Sequence, residues 1–542
     1  MKKILLCLIA IVFVCCASSG EAAPAKGFAG LTSPEQIALP SHGIAPVTIE
    51  LGNKKEAVTI LSSDVWFGIA GGNQDIAAGS PKTVKLWFEP NFSSHARRGV
   101  ITIKGVKSGS VKSVEVSQPP YFTTIEEGFP ARLETQTFKS DNWVYGGICS
   151  PKDSPAVMSA VSTSGSPLSF SLSTGPCVSG THAGDYFIYA VPTKHVASGE
   201  QIDFMCTIVG SQATSPKYFI FEYWDNGRWN SIKSELRTAE EDSSIKYSFY
   251  NKYFSSAHHT TYTQSFTLMQ PIENDCVRVR LRILSEGAGV TKFSSGGRYM
   301  SMYMIKYSNA PAVTDRYKML FVGNSFTYYY GTAFMFKEIA RSQGHQVDAI
   351  ISVKGSQEFS EHLQLERTLE AIGRGGFDYA FLQDTSPNPA KYADERRPEI
   401  LEACKEINAL TLSYSPNCQI IYERCWACPK DDFRGFGSYD KLDEMLKRGS
   451  EMLREELGGT VWVSPIGLGF RVGREQGLTM LHTDDQHQSR IGAYMKACIN
   501  YLLVYQTRFT DTVSDCAVDA ATAKIVRQIA ERVVFEGVAE PY

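Results

Sequence analysis

Three textures of apolar and polar positions follow one another along the chain. Residues 24–120 carry short runs, AVTILSSDVWFGIA, TVKLWFEP, GVITIKGV and VKSVEVSQ, in which Val, Ile and Phe alternate with polar residues between Gly, Ser, Asn and Pro. Period-two runs punctuated in this way predict a small β-sandwich. Residues 121–310 continue in strands: DYFIYAVP, QIDFMCTIVG, KYFIFEYW, SFTLMQP and CVRVRLRILS. In the last of these, Val277, Val279, Leu281 and Ile283 alternate with Arg278, Arg280 and Arg282. That is the pattern of a half-buried antiparallel strand. A second, jelly-roll-like sandwich is expected, a possible carbohydrate-binding domain by architecture alone. In it, Trp224 and Trp229 either stack on sugar rings or close a hairpin around Asp225-Asn226-Gly227.

From 311 to 542 the period changes. RYKMLFVG, VDAIISV, DYAFLQD, QIIYE and TVWVSP are strand-like, and helical stretches stand between them around Arg397–Leu412, Leu442–Leu457 and Arg490–Tyr505. Strands alternating with helices predict a parallel sheet covered on both faces, with any ligand at the carboxyl ends of the strands.

The opening MKKILLCLIAIVFVCCASSG adds an address. Two lysines precede an apolar run from Ile4 to Val14, the layout of a secretory signal. The run is shorter than the roughly 20 residues of a membrane-spanning helix. Cys15 and Cys16 follow it as in a bacterial lipoprotein signal, with Cys16 the lipidated residue. Residues 1–23 are therefore expected to be a signal peptide. The mature protein would work in the periplasm or at the cell surface, touching the membrane through a lipid anchor. Export would carry the remaining cysteines into a disulfide-permissive compartment. Cys425 and Cys428 form a CxxC that could be redox-active, half of a zinc site, or simply packed or paired near a strand end.

Composition narrows the partners. Fifty-four Lys and Arg against 57 Asp and Glu leave a net charge of −3, which proposes no nucleic-acid partner. Hydrophobic content of 43% excludes a mainly disordered chain.

Candidate chemistry gathers at the predicted strand ends. The first strand of the last region ends FVGNSFTYYY, which places Ser325 at the head of a helix, as a nucleophile or as a helix cap. A serine nucleophile needs a base to take its proton. Late in the chain, LHTDDQHQSRIGAY sets Asp484 three residues before His487, just ahead of a helix. An acid that orients an imidazole facing a serine completes a nucleophilic triad. His482, Asp484, Asp485 and His487 could instead group around a metal.

Taken in order, LFVGNSF, VKGS, LQDTS, CWACP and DDQHQSRIGAY resemble blocks of the SGNH (GDSL-type) hydrolase superfamily, in a largely uncharacterised bacterial branch. The resemblance implies a flavodoxin-like three-layer sandwich and ester hydrolysis without metal or organic cofactor. Ser325 matches the nucleophile, His487 the base and Asp484 its partner. The oxyanion hole would use the backbone N–H groups of Ser325 and Gly355. The superfamily's GxND block is absent, and the side-chain amide of Gln383 stands in for its Asn. Asn324 replaces the usual Asp of GDS. With His362, Arg424 and Trp426 it is a candidate lining of the substrate pocket; a core or surface position for His362 and a salt bridge for Arg424 are the alternatives. Nearer the front, Ser62, Ser63, Asp64 and Trp66, then Arg97-Arg98-Gly99 and a closing VEVSQ resemble the BACON module, an immunoglobulin-like domain common in Bacteroidetes surface proteins. That resemblance implies sugar binding or a spacer role.

Together these readings lead to an exported serine esterase that removes acyl groups, acetyl foremost, from an acylated polysaccharide or oligosaccharide. Tyr328, Tyr329 and Tyr330 suggest an aromatic, polar-tipped mouth that favours sugar over lipid. A lipid or thioester hydrolase on the same triad, and a non-catalytic glycan-binding surface lipoprotein, are the competing readings.

Overall fold

The computed structural model describes residues 28–538 apart from 44, 63, 135–142, 145–147, 150–154, 167, 172–176, 180, 211–217, 233–246, 249–259, 285–290, 293–299, 308–309 and 431. The expected signal and Cys16 lie outside the described residues. Among the described residues no helix is long and apolar enough to cross a membrane.

The first strands form two sheets, one of four strands (Leu31–Thr32, Val47–Asn53, Lys82–Phe88, Phe67–Ile69) and one of five (Gln36–Ala38, Val111–Gln118, Arg97–Gly105, Val58–Ser62, Gln74–Ile76). Alternate residues such as Leu51, Ile60, Leu86, Ile101 and Val116 fill one shared core. The separated pieces of the front motif meet in space. Asp64 Oδ2 accepts the Val100 N–H at 3.1 Å, and the Arg97 guanidinium lies 4.4 Å over the Trp66 ring. A Cβ at Gly99 would come within 2.5 Å of both Asp64 and the Phe67 ring, so only glycine permits this approach.

Between Ala131 and Lys306 two further sheets, antiparallel throughout, face each other across Phe187, Tyr189, Phe204, Phe221, Val279 and Leu281. The strand Ile272–Ile283 turns Val277, Val279, Leu281 and Ile283 inward, as its alternation predicts. Its opposite face is covered too. Arg280 Nε sits 2.6 Å from Glu222, and its guanidinium lies over Tyr186 and Trp229 at 4.8 and 4.5 Å. Tyr186, Ile188 and Val157 on that side pack with Phe92 of the preceding sandwich, and the Tyr186 hydroxyl donates to Glu89 at 2.9 Å. The first sandwich therefore roofs part of the arginine face. Trp224 and Trp229 are directly opposed across a hairpin whose Asn226 and Gly227 take positive φ, the geometry of a tight two-residue turn. Their rings meet edge to face at 5.4 Å, which is the hairpin-closing role.

The last region is an all-parallel sheet of β1 (Asp315–Gly323), β2 (His345–Val353), β3 (Tyr379–Leu382), β4 (Gln419–Glu423) and β5 (Trp462–Ser464), in the order β2-β1-β3-β4-β5. Its strands are apolar on both faces because helices cover both. Met319 and Phe321 pack toward α2 (Thr332–Ser342), α8 (Ile466–Glu475), α9 (Arg490–Tyr505) and α10 (Ala520–Phe535). Leu320 and Val322 pack toward α3 (Phe359–His362), α4 (Glu366–Gly373), α5 (Pro387–Glu395), α6 (Pro398–Tyr414) and α7 (Tyr439–Glu456). This is the doubly wound order whose chain reverses direction beside β1, the point where such sheets open a crevice.

Helix α2 is also the seat of the second sandwich. Met205, Tyr303 and Ile305 pack on Phe334, and buried polar contacts ring this patch. Lys337 pairs with Asp203 at 3.3 Å, the Tyr307 hydroxyl donates to Asp203 at 2.9 Å, and the Tyr303 hydroxyl donates to Glu338. Buried charges left unpaired would be costly, so these pairings fix how the two parts meet.

Candidate active site

At its carboxyl end β1 gives way to a sharp turn. The strand's last residue is Gly323, where a Cβ would lie 2.3 Å from Thr327 Oγ1 and 2.8 Å from Gln383 Oε1, too close for any side chain. Asn324 then caps the short helix α1 (Ser325–Tyr328), its Oδ1 accepting the Phe326 N–H at 3.1 Å. Its Nδ2 donates to the Gln357 carbonyl at 3.1 Å and ties the turn to the loop after β2. Asn324 is thus a brace beneath the turn rather than a pocket wall. Ser325 follows, nearly buried.

His487 Nε2 stands 3.0 Å from Ser325 Oγ. On the other side of the ring, Nδ1 lies 2.9 Å from Asp484 Oδ2. An ionised carboxylate only accepts, so Nδ1 carries the proton and Nε2 is left to accept from the serine hydroxyl. Asp484 also accepts the N–H groups of Gln486 and His487 at 2.9 and 2.7 Å, a tight turn that explains the three-residue spacing. The other members of the conceivable metal cluster go elsewhere: the His482 ring meets Phe470 edge to face at 5.3 Å, and Asp485 pairs with Lys430 at 3.4 Å. Among the described residues no group of three such side chains could hold a metal ion.

The remaining candidate residues are all buried. Gln383 is buried, but its Oε1 accepts the Asn324 N–H at 2.9 Å and the Thr327 hydroxyl at 3.1 Å. Its Nε2 donates to the Asp384 carbonyl and lies 3.9 Å from Cys425 Sγ, so both amide atoms are engaged within the core. Strand-end backbone claimed the side chain first. His362 is 0% exposed, with Nε2 3.1 Å from the Gly323 carbonyl and Nδ1 2.9 Å from Thr368 Oγ1. Burial pulls its pKa down to about 3, so it is a neutral core histidine that holds the end of β1. Arg424 is buried against Asp443 at 3.1 Å, and Arg471 reaches the same carboxylate at 2.6 Å. The ion-pair alternative is therefore what the fold uses. Trp426 is 1% exposed, stacked between Phe326 and Phe470 with centroids at 4.5 and 4.3 Å. Its indole donates to the Gln486 carbonyl at 2.9 Å, so it underlies the Asp484–His487 turn instead of lining a pocket. Tyr328, Tyr329 and Tyr330 are buried as well and form no mouth. Gly355 is buried in the turn after β2, whose Lys354 N–H donates to the Gly323 carbonyl at 3.1 Å. Cys425 and Cys428 are unpaired thiols in the core, their pKa values pushed up to about 12 by burial.

Two contacts at the site escaped sequence reasoning, one of them made by a tyrosine expected at the pocket mouth. Tyr329 stacks on the His487 ring, and Gln488 donates to the Phe326 carbonyl at 3.1 Å. The second carries a readable signal, since it directly follows the histidine. The first sits in a run of tyrosines that singles out none of them.

No family model matches the chain, and no curated protein matches it. Solved structures with some likeness include esterases and lipases. A GDSL-like lipase of Parabacteroides merdae, described as putative, is 11% identical, covers 41% of this chain and 99% of its own, and has a TM-score of 0.27. An acetyl xylan esterase of Butyrivibrio proteoclasticus is 11% identical over 55% of this chain and 89% of its own, TM-score 0.23. A peptidoglycan O-acetylesterase is 10% identical over 76% of this chain and 83% of its own, TM-score 0.27. Scores this low leave the functional reading to the residues of the site itself.

Proposed function

We propose that this protein is a serine esterase that removes acyl groups, acetyl foremost, from glycans outside the cytoplasm. The observation that carries the reading is the chain of contacts from Ser325 Oγ to His487 to Asp484 at a strand end of a doubly wound sheet. Nε2 of His487 takes the Ser325 proton as Oγ attacks the ester carbonyl. The imidazolium, held by Asp484, then gives that proton to the leaving alcohol, and water repeats the sequence on the acyl-enzyme. The backbone N–H groups of Ser325 and Gly355 are the proposed oxyanion donors. Neighbouring N–H groups are committed: Asn324 to Gln383, Phe326 to the Asn324 side chain, and Thr327 to the Asn324 carbonyl. The preference for a glycan over a lipid or thioester rests on the two β-sandwiches ahead of the catalytic region. Anchoring through Cys16 would hold such an enzyme at the membrane that faces its substrate.

The test is turnover of 4-nitrophenyl acetate and of acetylated glycans by wild type, Ser325→Ala and His487→Ala. Loss of a triad member should lower kcat by as much as about 10⁶-fold. Acetate released from a glycan by wild type alone would support both the chemistry and the substrate. Equal background rates in all three proteins would move the weight to a non-catalytic glycan-binding protein.

A further inference from the structure

Beneath the nucleophile turn lies a buried ion pair that the relay itself does not use. Lys496, on the second turn of α9, is 1% exposed, and its Nζ donates to the Phe326 carbonyl at 2.9 Å. Glu423, the last residue of β4 and 2% exposed, stands 2.6 Å from the same Nζ through Oε2, an ion pair approached off the line of a good hydrogen bond. Its Oε1 accepts from Asn500 Nδ2 at 2.7 Å, and Asn500 Oδ1 accepts from Ser464 at the end of β5 at 2.6 Å. Two residues before α9 begins, the amide of Gln488 donates to the carbonyls of Ser325, Phe326 and Tyr329 at 3.5, 3.1 and 3.4 Å. Placing an ammonium and a carboxylate in a dry core is costly before pairing, so apolar packing would be the simpler solution for stability alone.

The geometry points to Lys496 and Gln488 as positioning residues for Ser325. Both belong to one segment with the base: His487 and Gln488 lead directly into α9, and Lys496 lies within it. Their donors grip the carbonyls of the turn that carries Ser325. The 3.0 Å distance between Oγ and Nε2 is therefore set through α9, with β4 and β5 holding the ammonium through Glu423, Asn500 and Ser464. A misplacement of about 1 Å between reacting groups can cost about 10²-fold in rate, which is what such a clamp would prevent. The inference rests on the esterase reading.

Wild type, Lys496→Met and the double variant Lys496→Met/Glu423→Gln distinguish positioning from simple support of the fold. Three quantities are compared: kcat and KM on 4-nitrophenyl acetate, the rate of covalent labelling by a fluorophosphonate that reacts at the serine, and the thermal midpoint. Removing one partner strands the other's charge and should lower the midpoint; removing both should restore most of it. Positioning predicts that the double variant, refolded to near wild-type stability, still shows kcat and labelling down by about 10²-fold with KM little changed. A double variant that regains both stability and labelling rate overturns the inference, as does a folded Lys496→Met that labels like wild type. A wild type that neither turns over ester nor takes the label would instead overturn the esterase reading, and this inference with it.

Discussion

The phenol ring of Tyr329 lies flat on the imidazole of His487, with centroids 4.1 Å apart and planes inclined by 11°. Phe326 meets the same imidazole edge-on at 5.6 Å, so the proposed base is fixed from two sides by residues of the turn that carries Ser325. An aromatic face against a ring that becomes cationic during proton transfer stabilises that cation, by up to about 2 kcal/mol where water is excluded. Tyr329→Leu should therefore lower kcat/KM by about 5- to 30-fold, and Tyr329→Phe, which keeps the face, should retain most of the activity. Steady-state kinetics of the two variants decide it. Equal rates for Leu and Phe would assign the stack to packing alone.

Asp484 has two duties that separate on mutation. It accepts two backbone N–H groups and so shapes the turn, and it receives the proton-bearing Nδ1 of His487. An amide retains an acceptor oxygen for the turn but offers no charge to an imidazolium and can impose the wrong tautomer. Asp484→Asn should leave the thermal midpoint within a few degrees while kcat falls by about 10⁴-fold. A loss under about tenfold would show that the carboxylate charge is not used in the reaction.

These positions also mark how far the sequence could be read. Period two over the front regions and the strand–helix alternation of the last one follow from local patterning, and both recur in the sheets. Ser325, Asp484 and His487 were accessible because each stands at a strand end or helix start, where short-range order decides which way a side chain faces. Gln383, Arg424 and Trp426 occupy the same kind of strand-end position and His362 ends α3, yet all four turn inward. Their partners, Asn324, Gly323, Asp443 and Phe470, come from other strands and helices. Competition between a ligand-facing and a core-facing contact is settled by those long-range neighbours, which spacing does not reveal. Part of the arginine face of Ile272–Ile283 is covered for the same reason, by residues of the preceding sandwich.

Arg424 is the clearest case in which a charged residue near the site should leave catalysis alone. Asp443 accepts from both Arg424 and Arg471 and is wholly buried. Removing that carboxylate strands two guanidinium groups, so Asp443→Ala should destabilise by about 3–5 kcal/mol in a denaturant titration. Arg424→Met should cost less stability and leave KM for acetyl esters and glycans unchanged. A rise in KM of more than about tenfold, or about 1.4 kcal/mol of lost binding, would return Arg424 to the substrate site.

Acid should act on this fold through His362. The ring donates from Nε2 to the Gly323 carbonyl and accepts at Nδ1 from Thr368, whose hydroxyl also meets Ser352 at 2.9 Å. A second proton has no comfortable place in that core, and burial lowers the pKa to about 3, against about 6.5 for a free side chain. Between those values the unfolded chain binds a proton that the folded one refuses. Stability must therefore fall as pH falls through this window, by at most about 1.4 kcal/mol per pH unit for one group. His482, held down to about 4 by burial first and by Arg474 second, adds a slope of the same sign. Urea titrations from about pH 7 to about pH 5 should show wild type losing stability faster than His362→Gln, by up to one proton's worth of slope. The variant will be weaker at neutral pH, since a smaller side chain must span Gly323 and Thr368, so slopes and not midpoints are compared. Activity should follow the same order on acid treatment, because His362 holds the carbonyl two residues before Ser325. Parallel slopes in the two proteins would mean that the acid-labile proton sits elsewhere.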